Sequence, residues 1–345
     1  MKKIDAVFEG GGVKGIGLVG AVSEVEKAGY TFECVAGTSA GAIVAALVAV
    51  GYTAQEIKAE LNALDYNNFK DTSLLDRFGF IGKGLSIGLE YGIYEGHFFE
   101  DWFEHLLQVK GKTTFGDIEF AEYEDPKYQY KLQLIVTDLT DRRLLVLPRD
   151  LKDFGIRPQE FPISKAVRMS MSIPVFFEPV QLTDNEGQVH ILVDGGVLSN
   201  YPVWLLDDGT CDPPWPTFGF KLIELNTRIL KLPERNPLTN AWNFLNALAG
   251  TLLDAHDKFH ISESKGDYER TIGISTTVMS AGQEKEIRAT HFDLSREESE
   301  ALYQNGANAA KAFLDRWDFD RWKRKYRAHL AQNPSMKTSV LQNTS

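Results

Sequence analysis

The sequence predicts an α/β fold, a central and mostly parallel sheet flanked by helices. Three observations carry this. Two strand–turn–helix units follow one another within the first 51 residues, and further strand patterns recur at residues 131–137, 143–147 and 189–193. The chain has 345 residues, 43% of them hydrophobic and 25% charged, enough to bury the core of one large α/β domain or two small ones. No internal repeat or low-complexity segment argues for a solenoid or a disordered array.

The first unit opens on Ile4-Asp5-Ala6-Val7-Phe8, a buried-strand pattern. It continues into Glu9-Gly10-Gly11-Gly12-Val13-Lys14-Gly15 and then a helical pattern over residues 16–22. A glycine loop between strand and helix turns backbone N–H groups toward an anion. Two anions fit. Gly10 to Gly15 matches the dinucleotide fingerprint Gly-x-Gly-x-x-Gly, whereas the P-loop pattern is not supplied. The same amides suit the oxyanion of an acyl-transfer reaction, and the second unit tips the balance that way.

That unit runs from an apolar segment at residues 32–36 through Gly37-Thr38-Ser39-Ala40-Gly41 to an apolar helix pattern at residues 42–50, stopped by Gly51. Gly-x-Ser-x-Gly is the nucleophile-elbow pattern, in which a sharp strand-to-helix turn pushes the serine hydroxyl outward. The helix behind it aims its N-terminal amides at the serine. By itself the pentapeptide also fits a plain Gly/Ser loop before a core helix.

Downstream, the strand at residues 189–193 ends at Asp194-Gly195-Gly196, followed by Ser199-Asn200-Tyr201-Pro202. A carboxylate at a strand's C-terminal end is where open α/β sheets place their sites, although a turn aspartate before two glycines is the plainer reading of Asp194 alone. An ordinary aspartate pKa of about 3.9 makes a poor base for a hydroxyl, so the glycine loop and the helix dipole would have to supply the difference.

With these stretches in hand, GGGVKG followed by GTSAG resembles the patatin-like phospholipase family, related in fold to the cytosolic phospholipases. The resemblance runs from about residue 4 to about 315. It includes Ser164-Lys165-Ala166-Val167-Arg168-Met169-Ser170 with Ile173-Pro174, and the strand before Leu139-Thr140. Glu9 departs from the aspartate that often opens the family's first motif. The resemblance implies a three-layer fold and a Ser-Asp dyad, with Ser39 as nucleophile and Asp194 as general base and acid. It implies an oxyanion hole at Gly10, Gly11, Gly12 and Val13, with Lys14, Gly15, Gly37, Gly41, Gly195 and Gly196 as supporting motif positions. It implies no cofactor, no metal, and a phospholipid or other acyl-ester lipid as substrate. Lys14 is expected to shape the loop or add positive potential rather than move a proton. A patatin-like shell that binds or signals without turnover is the rival from another class, and a nucleotide-binding protein a further one.

A Ser-Asp-His enzyme would need a histidine after the aspartate. His256, His260, His291 and His329 follow it, none in a recognisable loop signature. His256-Asp257-Lys258-Phe259-His260 mimics a zinc-binding pair at i, i+4, but no third ligand is evident and a solvated helix face is the expectation.

Thr53-Ala54-Gln55-Glu56 is a capping box that starts a helix reaching about Leu64. Residues 74–103 interleave glycines with aromatics, which fits a flap over an acyl pocket or an irregular connection packed on the core; a core helix is expected from about Gly96 to Leu107. Helices are expected at residues 239–262 and 297–314. Residues 316–327 carry six basic and two acidic side chains, with Phe319, Trp322, Tyr326 and Leu330 at helical spacing. They fit a membrane-surface helix or, preferably, a helix docked on the core with a solvated basic face. The expected organisation is a catalytic core over residues 4–205, residues 206–330 completing the same domain, and a loose tail at 331–345.

The net charge of −11 argues against nucleic acid as a partner. Two cysteines, Cys34 and Cys211, make no disulfide framework. The N-terminus lacks signal-peptide features and the longest apolar run is too short to span a bilayer, so a cytoplasmic protein with at most peripheral membrane contact is expected.

Overall fold

A computed structural model of the chain describes residues 1–64, 92–94, 96–120, 128–207, 209–210, 212–224, 266–280, 282–289, 291 and 294–328. β1 (Lys2–Phe8) is buried from Ile4 onward, as a parallel strand covered on both faces must be. A single 3-10 turn at Gly12–Lys14 leads into α1 (Gly15–Lys27), β2 (Tyr30–Gly37) and α2 (Ala40–Val50). Gly51, in the left-handed region at φ 99°, ends α2, as the sequence predicts. α3 (Ala54–Ala63) begins at the expected capping box, with both reciprocal bonds between Thr53 and Glu56 formed.

The chain continues through β3 (Gly92–Tyr94), α4 (His97–Val109), β4 (Leu132–Asp138), β5 (Arg143–Leu147), α5 (Ile163–Ser170), β6 (Val175–Phe177), β7 (Val180–Thr183) and β8 (Val189–Asp194). It closes with β9 (Thr217–Ile223), β10 (Thr271–Ser275), the hairpin β11 (Thr277–Ser280) and β12 (Gln283–Glu286), α6 (Arg296–Leu314) and α7 (Phe319–Tyr326). The expected helix at 239–262, the tail at 331–345, and residues 74–91 of the glycine-aromatic segment lie outside the described residues.

The main sheet has eight strands in the order β10-β9-β1-β2-β4-β8-β7, with β5 paired to β4. β10, β9, β1, β2 and β4 run parallel; β8, β7 and β5 are antiparallel additions. Residues alternate between two cores, as strand geometry demands. Ile4, Ala6 and Phe8 of β1 pack with the helices, while Val7 packs with Ala36, Ile135 and the turn residues Tyr201, Val203 and Leu206.

The register fixes what comes together at the C-terminal edge of the parallel strands. Gly37 at the end of β2 pairs with Leu134 of β4, and two residues further along β4 Val136 pairs with Asp194. β4 therefore stands between the strand that delivers Ser39 and the strand that delivers Asp194.

Residues 316–327 are docked on the core. Trp322 is buried and its indole N–H donates to the Gly266 carbonyl (3.1 Å). The Arg327 guanidinium lies over its ring, and Trp317 stacks on Phe313 (5.3 Å). Arg270 and Asp207 complete this cluster, and Arg270 immediately precedes β10. α7 thus sits at the N-terminal ends of β9 and β10, the edge opposite Ser39. Among the described residues no helix is long and apolar enough to cross a membrane.

Candidate active site

Ser39 occupies the turn between β2 and α2 at φ 54°, ψ −126°. Arg142 is the other non-glycine residue with positive φ among the described residues. Such a conformation costs on the order of 1–3 kcal/mol and persists only where the surroundings enforce it. They do so here through close backbone approach. A Cβ on Gly41 would stand 2.3 Å from the Phe8 carbonyl oxygen, so the elbow closes on the end of β1 only with glycine there. Ser39 is at the N-cap of α2, yet its side chain makes no capping bond, which leaves the hydroxyl uncommitted to the helix. Its N–H donates to Ser170 Oγ at 3.1 Å.

Asp194 is fully buried. Its Oδ1 accepts the Gly196 N–H at 2.7 Å, and its own N–H donates to the Ser172 carbonyl at 2.9 Å. Burial pushes its carboxyl up to about 7, against the pull of the Ser39 hydroxyl and the Gly196 amide. The Ser39 contact falls short of an aligned hydrogen bond: Oδ2 is buried with no hydrogen-bond partner among the described residues. An ordinary aspartate would be a weak base; this one is tuned by its surroundings to titrate near neutrality, which the sequence does not show.

The glycine loop lies alongside. The Gly10 N–H donates to the Asn200 carbonyl and the Val13 N–H to the Ala289 carbonyl, each at 3.0 Å. The N–H groups of Gly11, Gly12 and Ala40 have no acceptor among the described residues. Gly12 has φ 56°, and a Cβ on it would stand 2.0 Å from the Ala289 oxygen. Of the four residues expected to form the oxyanion hole, two have their amides committed to holding the loop and two keep them available. The buried Lys14 ammonium donates to Glu224 Oε1 at 2.6 Å. Glu9 reaches β9, where Oε2 accepts the Leu222 N–H and Oε1 pairs with Lys221. Asn200 Nδ2 donates to the Gly10 carbonyl (3.2 Å), and Thr38 Oγ1 to the Ser199 carbonyl (3.0 Å), joining the glycine loop and the elbow to the turn after Asp194.

Ser39 and Gly12 line a cleft that is partly open to solvent. Ile43, Leu64, Phe99, Trp102, Ile173 and Phe177 line it, and no histidine does among the described residues. A second pocket, also partly open to solvent, lies by Trp215, Arg270 and Trp322 at the opposite edge of the sheet. Among the described residues no serine or cysteine lines it, and its Asp207 is already paired with Arg270 and Arg327.

His256, His260 and His329 lie outside the described residues. His190, which the sequence did not single out, is buried on β8 with Nδ1 2.8 Å from Asp138 Oδ2 and Nε2 3.4 Å from Asp184 Oδ2. Asp138, Asp141 and His190 are close enough to share an ion, but the Arg143 Nε already stands 3.6–3.7 Å from both carboxylates and supplies the positive charge.

The family model described as patatin-like phospholipase matches residues 6–207, which carry both motif loops, the elbow and Asp194. The chain belongs to the patatin-like phospholipase family. It is 39% identical over 320 residues to the uncharacterized protein YqhO of Bacillus subtilis, covering 92% of this chain and 99% of YqhO. It is 27% identical over 198 residues to the probable lipid hydrolase 463L of Invertebrate iridescent virus 6, covering 57% of this chain and 61% of that protein. In fold it is similar to VipD of Legionella pneumophila, with a TM-score of 0.55 at 17% identity over 91% of this chain and 66% of that one. The family membership points to lipid hydrolysis. Glu224, Ala289 and the Lys221–Leu222 pair, which hold the glycine loop, all lie beyond the matched region.

Proposed function

We propose that the protein is a serine lipid acyl hydrolase of the phospholipase A, lysophospholipase or acylglycerol esterase type, working through an acyl-serine intermediate. The observation that carries this reading is Asp194 Oδ2: a buried carboxylate oxygen without a hydrogen-bond partner among the described residues, on a group poised near pH 7, beside a strained serine whose hydroxyl caps nothing. A buried polar atom left unpaired calls for a functional explanation, and taking up a proton is one.

In this reading Asp194 Oδ2 takes the hydroxyl proton as Ser39 Oγ attacks the ester carbonyl carbon. The negative charge moves to the carbonyl oxygen, stabilised by the Gly11 and Gly12 amides and the N-terminus of α2. The bond to the leaving alcohol breaks, and Asp194 returns the proton to its oxygen. Water then adds to the acyl-serine, gives a proton to Asp194, and releases the fatty acid as the proton returns to Ser39. The Gly10 and Val13 amides hold the loop rather than the oxyanion. The apolar cleft takes the acyl chain, each buried methylene contributing about 0.8 kcal/mol. Neither step calls on a metal or cofactor.

Lipid reaches Ser39 from the C-terminal edge of the parallel strands. α7 is at the other edge, so its basic face is not the surface that presents lipid to the cleft. Residues 4–205 and 206–330 act as one domain here, because β9, Glu224 and Ala289 complete the support of the glycine loop. The test is hydrolysis of acyl esters by the wild type and by Ser39→Ala. Turnover that disappears in Ser39→Ala, with an unchanged circular dichroism spectrum, supports the assignment; turnover retained by that variant contradicts it.

A further inference from the structure

The C-terminal turn of α5 touches both halves of the dyad. Ser170, the last residue of α5, accepts the Ser39 N–H at 3.1 Å. Two residues on, the Ser172 carbonyl accepts the Asp194 N–H at 2.9 Å. Both serines are fully buried. Ser170 cannot turn away, because its own proton is committed to the Ile135 carbonyl of β4 at 2.7 Å. With the proton fixed there, a lone pair faces the Ser39 amide. Val136, the next residue of β4, is the one paired with Asp194. The nucleophile and the base are thus referenced to adjacent residues of one strand, the first through a side-chain hydroxyl and the second through the ladder.

We propose that Ser170 is a positioning residue for the reaction: its hydroxyl holds the Ser39 backbone in its left-handed conformation and so keeps the Ser39 hydroxyl against Asp194. The inference rests on Ser39 being the nucleophile. The physical reason is the cost of the alternative. Without the Ser170 oxygen the Ser39 N–H is a buried donor that has lost its acceptor, which destabilises the turn as it stands. The strained turn can relieve this by rotating, which moves the hydroxyl away from Asp194. A displacement of about 1 Å at a reacting group costs on the order of 100-fold in rate.

The experiment compares wild type, Ser170→Ala and Ser164→Ala for labelling by a fluorophosphonate, for kcat and KM on a short acyl ester, and for Tm. Ser164 is a buried serine at the other end of α5, remote from the dyad. The expected result is a fall of about 10- to 100-fold in labelling rate and kcat for Ser170→Ala. KM should stay within about twofold and the acid limb of the pH profile should stay in place, while Ser164→Ala keeps the wild-type rate. A loss of packing alone would instead lower Tm in both variants without separating kcat from KM. Should Ser170→Ala fail to fold, Ser170→Cys keeps the volume and replaces the oxygen with a weak acceptor, and the same fall is expected. A wild type that labels at Ser39 with an equal rate in Ser170→Ala overturns this inference alone. A wild type that does not label at Ser39 overturns the nucleophile assignment and this inference with it.

Discussion

Lys14 and Glu224 are 210 residues apart in the chain, and the Lys14 ammonium stands 2.6 Å from Glu224 Oε1. The pair fastens the glycine loop to the end of β9. Glu224→Ala should strand a buried ammonium and lower stability by about 1–2 kcal/mol, less than for a fully buried pair because Glu224 is one-third exposed. Lys14→Met keeps the apolar stem and removes the charge, so it should be the more stable of the two variants. Urea unfolding compares them, and equal stabilities would show that the ammonium is not held by Glu224.

The pH dependence follows from Asp194. As the proposed base it must be ionised, so kcat/KM should rise with pH to a plateau with an apparent pKa of about 7. Stability should move the other way. The folded carboxyl titrates above its unfolded value, so between about pH 4 and 7 the folded state holds a proton that the unfolded state has lost. This group's contribution is therefore fully present below about pH 4 and falls as pH rises toward 7, by at most about 1.4 kcal/mol per unit. Asp194→Asn should cost about 1,000-fold or more in rate and flatten both profiles. A rate profile of Asp194→Asn that keeps the limb near 7 would assign it to another group.

The parts of the site that local backbone geometry dictates were legible in the sequence. The elbow needs Gly37 and Gly41 within two residues of Ser39, and the loop needs its glycines in a row, so both are written locally. Asp194 was legible because a strand pattern stops at it. The α/β class and the helix starting at Thr53 followed from periodicity and a capping box. What closes the site was not legible, because it arrives from far along the chain: Ser170 is 131 residues from Ser39, and Ala289 comes from the end of a short hairpin. β9 was missed because Gly219 and Lys221 interrupt its apolar run. The tuned acidity of Asp194 depends on total burial, which no local pattern reports. The docking of residues 316–327 was the preferred of two readings, and Trp322 shows why: it fills the space over Gly266 and between Arg270 and Arg327.

That docking makes the C-terminal segment part of the core. Trp322→Ala should cost about 3–5 kcal/mol, and removing residues 316–345 should lower activity on short esters and on lipid vesicles together. Loss of vesicle activity alone, in a protein of unchanged Tm, would mean that the segment serves a lipid surface instead.

The cleft predicts a chain-length profile. Rates on soluble esters should rise by up to about fourfold per methylene until the cleft is filled. Ile43 lies one helical turn beyond Ser39 and lines the cleft. Ile43→Trp should cut hydrolysis of long-chain esters by about tenfold or more while sparing acetyl esters. A wild type that cleaves acetyl esters and no longer chains would leave a small-ester hydrolase in place of a lipid enzyme.

The central claim is that Ser39 forms a covalent bond with the acyl carbon. Treatment of the wild-type protein with a fluorophosphonate, followed by digestion and mass mapping, tests it directly. The account predicts one adduct per chain, on the peptide carrying Gly37-Thr38-Ser39-Ala40-Gly41, and none in Ser39→Ala. An adduct on another residue, or an unmodified Ser39 in a protein that still hydrolyses acyl esters, would contradict it.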